Sequence, residues 1–145
     1  MSAIIASTEV DRIAEQVFAY ATDPTRFAEW QQGVVGGHLD STGAPAVGDL
    51  CVTRRRIGGA VRPVTSKLAH IDPPRTWGVR GIDGPIRASV DVTVEPVTET
   101  RSRLTIVVDF EGHGIGKILV PLVVRRGARK EMPANVAALK TRLES

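Results

Sequence analysis

The chain has 145 residues, 42% of them hydrophobic, 24% charged and only 4% aromatic, with a net charge of +3. That length suits one domain able to bury roughly two-thirds of its unfolded surface, with a core that must be mainly aliphatic. A lone cysteine, Cys51, excludes an internal disulfide, and the chain lacks an apolar run long enough to cross a bilayer, so no integral membrane association is expected.

Nothing at the start has the basic, then apolar, then small-residue pattern of a signal peptide, and a cytoplasmic protein is expected. The basic excess raises nucleic acid as a partner. Its densest run is Arg54-Arg55-Arg56. On a strand, Arg54 and Arg56 point to one face and Arg55 to the other, so they form no single patch, and no aromatic interleaving supports them. Nucleic-acid binding is therefore not expected.

Residues 3–10 read as a first strand. A helix follows, with Asp11 near its start and Ile13, Val17 and Ala21 on one face, and Asp23-Pro24 ends it. A short helical turn over Thr25 to Trp30 places Phe27 and Trp30 on the same side. From Gly33 to Phe110 short apolar runs alternate with turn signals such as Gly36-Gly37, Gly58-Gly59, Pro73-Pro74 and Asp83-Gly84, the texture of an antiparallel meander. Its clearest strands are 88–95, with Ala88, Val90, Val92 and Val94 on one face, and 104–111, with Leu104, Ile106, Val108 and Phe110. Asp91 and Asp109 then fall on the wet faces. Less regular strands are expected at 34–39, 49–57, 61–71 and 76–82.

His113 to Ser145 reads as one long amphipathic helix. At about 100° per residue, Ile115, Ile118, Leu119, Leu122, Met132, Val136, Leu139 and Leu143 share a stripe. Arg129 falls near its centre, with Arg125 and Arg126 near its edges. Pro133 is expected to kink or break the helix near Arg129 to Met132. The order of strand, two short helices, about six strands and a long helix defines an α+β layout with helices on one side of an antiparallel sheet.

An arginine looking inward from that stripe suits a carboxylate or enolate on an otherwise apolar ligand; one that snorkels to the cavity mouth does not. His38, His70 and His113 are not at metal-ligand spacing, so no metal or other cofactor is expected. His113, at the hand-over from strand to helix, is a candidate general acid or base or an exposed turn histidine. Thr53, Arg55, Ser66, Trp77 and Arg80 lie on strands whose inward face the alternation leaves open; Trp30 and Trp77 are core anchors or ligand walls. Cys51 reads as an inert small hydrophobe.

Val10-Asp11-Arg12-Ile13-Ala14-Glu15-Gln16-Val17-Phe18-Ala19-Tyr20, then Thr22-Asp23-Pro24 and Glu29-Trp30, resembles the opening of the polyketide cyclase/dehydrase and lipid-transport family of the START-like, Bet v 1-like (SRPBCC) superfamily. Gly48-Asp49, Ile71-Asp72-Pro73-Pro74-Arg75 and the closing Leu139-Lys140-x-Arg142-Leu143-Glu144 fit the same pattern. Ile13 departs from the proline that relatives often carry. The resemblance implies a helix-grip fold over residues 1–145: a curved seven-stranded antiparallel sheet wrapped around the C-terminal helix, with a cavity between them. It also implies binding of a small hydrophobic ligand, a lipid, acyl chain or polyketide-like compound. The candidate lining is Trp30, Thr53, Arg55, Ser66, Trp77 and Arg80, with Val92, Ile106, Val108, Phe110 and His113 from the last strands, and Leu122, Arg125, Arg129 and Met132 from the helix. A cyclase or dehydratase using the same cavity, and a protein-interaction module, are the alternatives; a homodimer is left open.

Overall fold

The computed structural model describes residues 3–57 and 59–145, apart from the side chain of Leu122. Along the chain come β1 (Ile4–Val10), α1 (Ala14–Ala21) and a 3₁₀ segment (Pro24–Glu29). Six strands follow: β2 (Val34–Asp40), β3 (Leu50–Ile57), β4 (Ala60–Asp72), β5 (Thr76–Gly81), β6 (Ile86–Pro96) and β7 (Ser102–Gly112). The chain closes with α2 (Gly116–Leu119), a π-helical segment (Val120–Val124) and α3 (Arg125–Glu144). The sheet is fully antiparallel in the order β1-β7-β6-β5-β4-β3-β2. This is the expected α+β helix-grip architecture.

Local chemistry explains the boundaries. Ile13, expected on the buried face of the first helix, instead precedes it and is exposed, while Ala14, Val17, Phe18 and Ala21 carry the buried face. Asp23 starts the 3₁₀ segment by accepting hydrogen bonds from the Thr25 N–H at 3.0 Å and the Thr25 hydroxyl at 2.6 Å. α3 runs unbroken through Pro133, which lies on its exposed side. The irregularity comes earlier, at the π segment containing Pro121. Gly116 is required there: a β-carbon on it would overlap the Pro85 carbonyl, and the His113 N–H donates to that same carbonyl at 2.8 Å. α2 is thus pinned to the β5–β6 loop.

Register and burial together identify the inner face of the sheet. Leu104, Ile106, Val108 and Phe110 of β7 oppose Val94, Val92, Val90 and Ala88 of β6; across β5 the face continues through Trp77 and Val79 to Leu68 and Ser66 of β4, then Cys51, Thr53 and Arg55 of β3. A bulge between Leu68 and His70 lets Leu68 and Ile71 both face inward and turns His70 out.

The two ends of this face differ. At the end where β1 leads into α1 and α3 finishes, Val10, Val17, Val94, Leu104 and Leu139 have almost no accessible surface. At the opposite end, formed by the β3–β4 and β5–β6 turns and the β7–α2 link, the inward-facing Val64, Ala88, Val90 and Phe110 stay partly accessible. The first we call the closed end, the second the open end. Truncating the plug should be felt by the whole fold: Leu139→Ala is expected to lower unfolding free energy by about 2–5 kcal/mol, read from the shift of a denaturant midpoint.

Candidate functional site

The open half of the inner face is apolar, with one charge in it. Phe27 bridges Trp30 and Trp77 through edge-on contacts, with ring centroids 5.9 and 6.2 Å apart, and these aromatics line the transition between the two halves. The indole N–H of Trp30 is buried with no hydrogen-bond partner among the described residues. Beyond them β3 presents Cys51, Thr53 and Arg55 in succession on the inner side.

Arg55 retains some accessible surface, yet it is surrounded closely enough that burial pulls its pKa below the ordinary arginine value, with Cys51 and Glu131 acting in the other direction. The Arg55 Nε donates to the Thr53 hydroxyl and one terminal nitrogen to the Gln31 amide oxygen, both at 3.3 Å. These acceptors are neutral, and no carboxylate forms an ion pair with Arg55 among the described residues. A guanidinium remains charged in such a place, so it is a positive centre facing apolar surroundings.

The arginines expected on the helix are arranged otherwise. Arg125 is the buried one, at 6% exposure: it pairs with Asp109 at 2.6 Å and donates to the Phe110 carbonyl at 3.1 Å. β1 covers β7 only as far as Val108, so Arg125 satisfies the edge of β7 just beyond. Arg129, expected near the centre of the apolar stripe, is exposed, and so are Ile115 and Ile118; the π segment resets the helical phase between α2 and α3. Met132 is buried as part of the core, and the side chain of Leu122 lies outside the described residues.

Arg80 is a correction of a different kind. It stands on the outer face of β5, where it donates to Asp91 at 3.0 Å, and Asp91 also bonds His70 Nε2 at 2.7 Å. Burial raises the Asp91 pKa, but hydrogen bonds from His70 and Arg80 outweigh it and the net shift is downward. Gly78 lies beneath this group because a β-carbon there would collide with both His70 and Asp91. His113 is partly exposed and pairs with Glu111 at 3.0 Å, away from Arg55 in the chain's pairing. The structure therefore brings Trp30, Thr53, Arg55, Ser66, Trp77, Val92, Ile106, Val108, Phe110 and Met132 to the inner side and leaves Arg80 and Arg129 outside it.

Two surface depressions lie at the closed end. One, of about 460 Å³, is bordered by Glu9, Arg101, Arg103 and Lys140; the other, of about 340 Å³, by Ile13, Pro74, Val94 and Glu99. The first is a net of satisfied charges. Arg101 pairs with Glu9 at 2.8 Å and with Asp11, Arg103 with Glu9 at 3.1 Å, and Lys140 with Glu144 at 2.9 Å and the Glu9 carbonyl at 2.6 Å. It fastens the end of α3 to β1.

Residues 1–144 match the family model described as polyketide cyclase/dehydrase and lipid transport. The chain belongs to this family. Among solved structures, the Zhui aromatase/cyclase from a Streptomyces species superposes with a TM-score of 0.75 at 16% identity, over 98% of this chain and 93% of that one. A START superfamily protein from Mycobacterium smegmatis gives 0.73 at 14% identity, over 99% and 98%. A polyketide-cyclase-like protein from Corynebacterium glutamicum gives 0.68 at 22%, over 98% and 91%. These likenesses extend to the fold. No curated protein matches the chain by sequence.

Two polar residues of this family member were not evident in its sequence. Gln31 follows Trp30 and looks like a surface residue until β3 brings Arg55 to it. Asn135 is buried on α3, where its Oδ1 accepts from the Gln32 N–H at 3.1 Å; its i+3 spacing from Met132 was the available sign.

Two measurements follow from these environments. The Asp109 pKa is held below the usual aspartate value, first by the Phe110 N–H and then by Arg125. A depressed carboxylate contributes stability above its unfolded pKa, near 4, that is lost as pH falls through the folded value. Wild-type stability minus that of Asp109→Asn should thus shrink as pH falls from about 4 to about 2, read from melting temperatures across that range. Cys51 is buried and its pKa is pushed up to about 11, chiefly by burial. It should react with a disulfide reagent at neutral pH only on unfolding, so prompt labelling of the native protein would contradict that environment.

Proposed function

We propose that this chain binds a small hydrophobic molecule carrying an anionic oxygen, a carboxylate or an enolate, between the open half of the sheet and the C-terminal helical segment. The observation that carries this reading is Arg55: an enclosed guanidinium that donates to a hydroxyl and an amide oxygen. Family membership supports a hydrophobic ligand in the grip. Apolar burial supplies the drive, at about 25 cal/mol per Å² removed from water, and the guanidinium selects the head group.

The lining would be Trp30, Trp77, Val92, Ile106, Val108 and Phe110, with Thr53 and Ser66 as polar neighbours of the head group. A second reading, cyclase or dehydratase chemistry, draws on the same arginine, which would stabilise an enolate as charge develops on it. The Zhui structure is that of an aromatase/cyclase and shares the fold. Carriage is favoured over turnover because, among the described residues, no histidine or carboxylate is hydrogen-bonded to Arg55, Thr53 or Gln31.

Titration with a fluorescent long-chain fatty acid should saturate near one equivalent. Arg55→Met should weaken the acid by about 10–100-fold, the worth of a charge-assisted hydrogen bond, and leave the methyl ester of the same chain unaffected. Equal affinity of the native protein for acid and ester would overturn the assignment of Arg55, and nonsaturable uptake would overturn ligand binding itself.

A further inference from the structure

The open end is where the surface is least satisfied. Among the described residues, six of the eleven exposed large apolar side chains come from three segments there: Ile57 and Val61 on β3 and β4, Ile82 in the β5–β6 loop, and Ile115, Ile118 and Val123 next to and within α2 and the π segment. Ile115 and Ile118 are 64% and 61% exposed and three residues apart, hence on one side of the helical turn. The segments are joined. Gly116 packs on the Pro85 carbonyl, and the Ile82 N–H donates to the Thr65 carbonyl at 3.2 Å, which ties the β5–β6 loop to β4.

Charge is concentrated at the same end. Residues 56–62, 81–87 and 109–131 hold eight Lys and Arg against four Asp and Glu, and the rest of the chain holds eleven against twelve. The whole basic excess therefore lies here. Arg56, Arg62, Lys117 and Arg126 are exposed. Elsewhere, Arg101, Arg103 and Lys140 are paired in one net at the closed end, and Arg80 pairs with Asp91 on the outer sheet face.

We infer that the open end docks on a bilayer surface containing anionic lipid. Ile115, Ile118 and Val123 enter the headgroup boundary while Lys117, Arg126, Arg56 and Arg62 meet lipid phosphates. Aliphatic side chains interleaved with long basic ones suit a fluid interface, because the stems lie in the apolar layer and the charged ends reach up to the phosphates. They suit a protein interface poorly, since the core of such a patch is depleted in Lys and enriched in aromatics, and no Phe, Tyr or Trp is among the exposed apolar groups here. A second copy is disfavoured as occupant because twofold pairing would bring two basic ends together. The docking stands on surface observations alone; that it sets the ligand entrance against the membrane rests on the function proposed above.

The test is co-sedimentation with vesicles of equal parts phosphatidylcholine and phosphatidylglycerol, compared with vesicles of phosphatidylcholine alone. The native protein should bind the mixed vesicles about tenfold or more tightly over the neutral ones, with the preference falling as salt rises from about 0.1 to 1 M. Two double variants, Ile115→Asn with Ile118→Asn and Lys117→Glu with Arg126→Glu, should each lose about tenfold or more while melting like the native protein. No sedimentation of the native protein, or equal sedimentation of native and variants, would overturn docking. A concentration-dependent dimer that the isoleucine substitutions abolish would assign the patch to a second copy and overturn it as well. Fatty-acid titration of the same variants in solution separates the two proposals: failed docking with acid binding retained removes only the membrane, and the converse removes only the ligand.

Discussion

The structure depends on an apolar plug at one end of the grip. Val10, Val17, Val94, Leu104 and Leu139 come from β1, α1, β6, β7 and α3, so five elements meet there with almost no accessible surface. Around the plug the Glu9, Arg101, Lys140 and Glu144 net fixes the last turns of α3 to β1. Exposed ion pairs of this sort contribute little stability each, and here they set position more than free energy. Because the plug carries the packing, the other half of the inner face need not be close-packed. It can hold accessible Val90 and Phe110 and an enclosed guanidinium without loosening the helix.

The two interior arginines show how partners decide role. Arg125 and Arg55 both leave solvent, a step that is unfavourable unless charge and hydrogen bonds compensate. Arg125 meets a carboxylate and a backbone carbonyl at the uncovered edge of β7 and so acts as a structural tie. Arg55 hydrogen-bonds a hydroxyl and an amide, and Glu131 acts on it through space without an ion pair among the described residues. An anion would gain more at Arg55 than at Arg125, where Asp109 already sits.

How legible all this was in the sequence follows from local regularity. β6 and β7 alternate strictly, and Asp91 and Asp109 fall on their outer faces as the alternation requires. The irregular strands resisted such a reading for a physical reason: the bulge at Ala69 reverses the alternation within β4, and another between Val34 and Gly36 does so in β2. The helix misled in the same way. Averaged over Ile115 to Leu143, the stripe centres near Arg129; taken over Ala128, Met132, Val136, Leu139 and Leu143 alone, it centres near Arg125 and leaves Arg129 about 60° to the side. The π segment lies between those two groups of residues, and its wider turn breaks the phase that the averaging assumed. Gln31 carried no signal, because its role exists only once the turn after the 3₁₀ segment and β3 are brought together by the fold.

Charge placement then separates the two faces of the molecule. On the outer sheet face, Asp91 takes both His70 and Arg80, so Arg80 is answered within the protein. At the open end Lys117, Arg126, Arg56 and Arg62 surround exposed aliphatics, and just inside stands Arg55 with neutral partners. A folding constraint does not account for that asymmetry, since solvated positive charge beside exposed isoleucine adds nothing to packing. An amphipathic anion does account for it: apolar contact and positive charge without a carboxylate ion pair recur along one path, at the rim and again at the interior arginine.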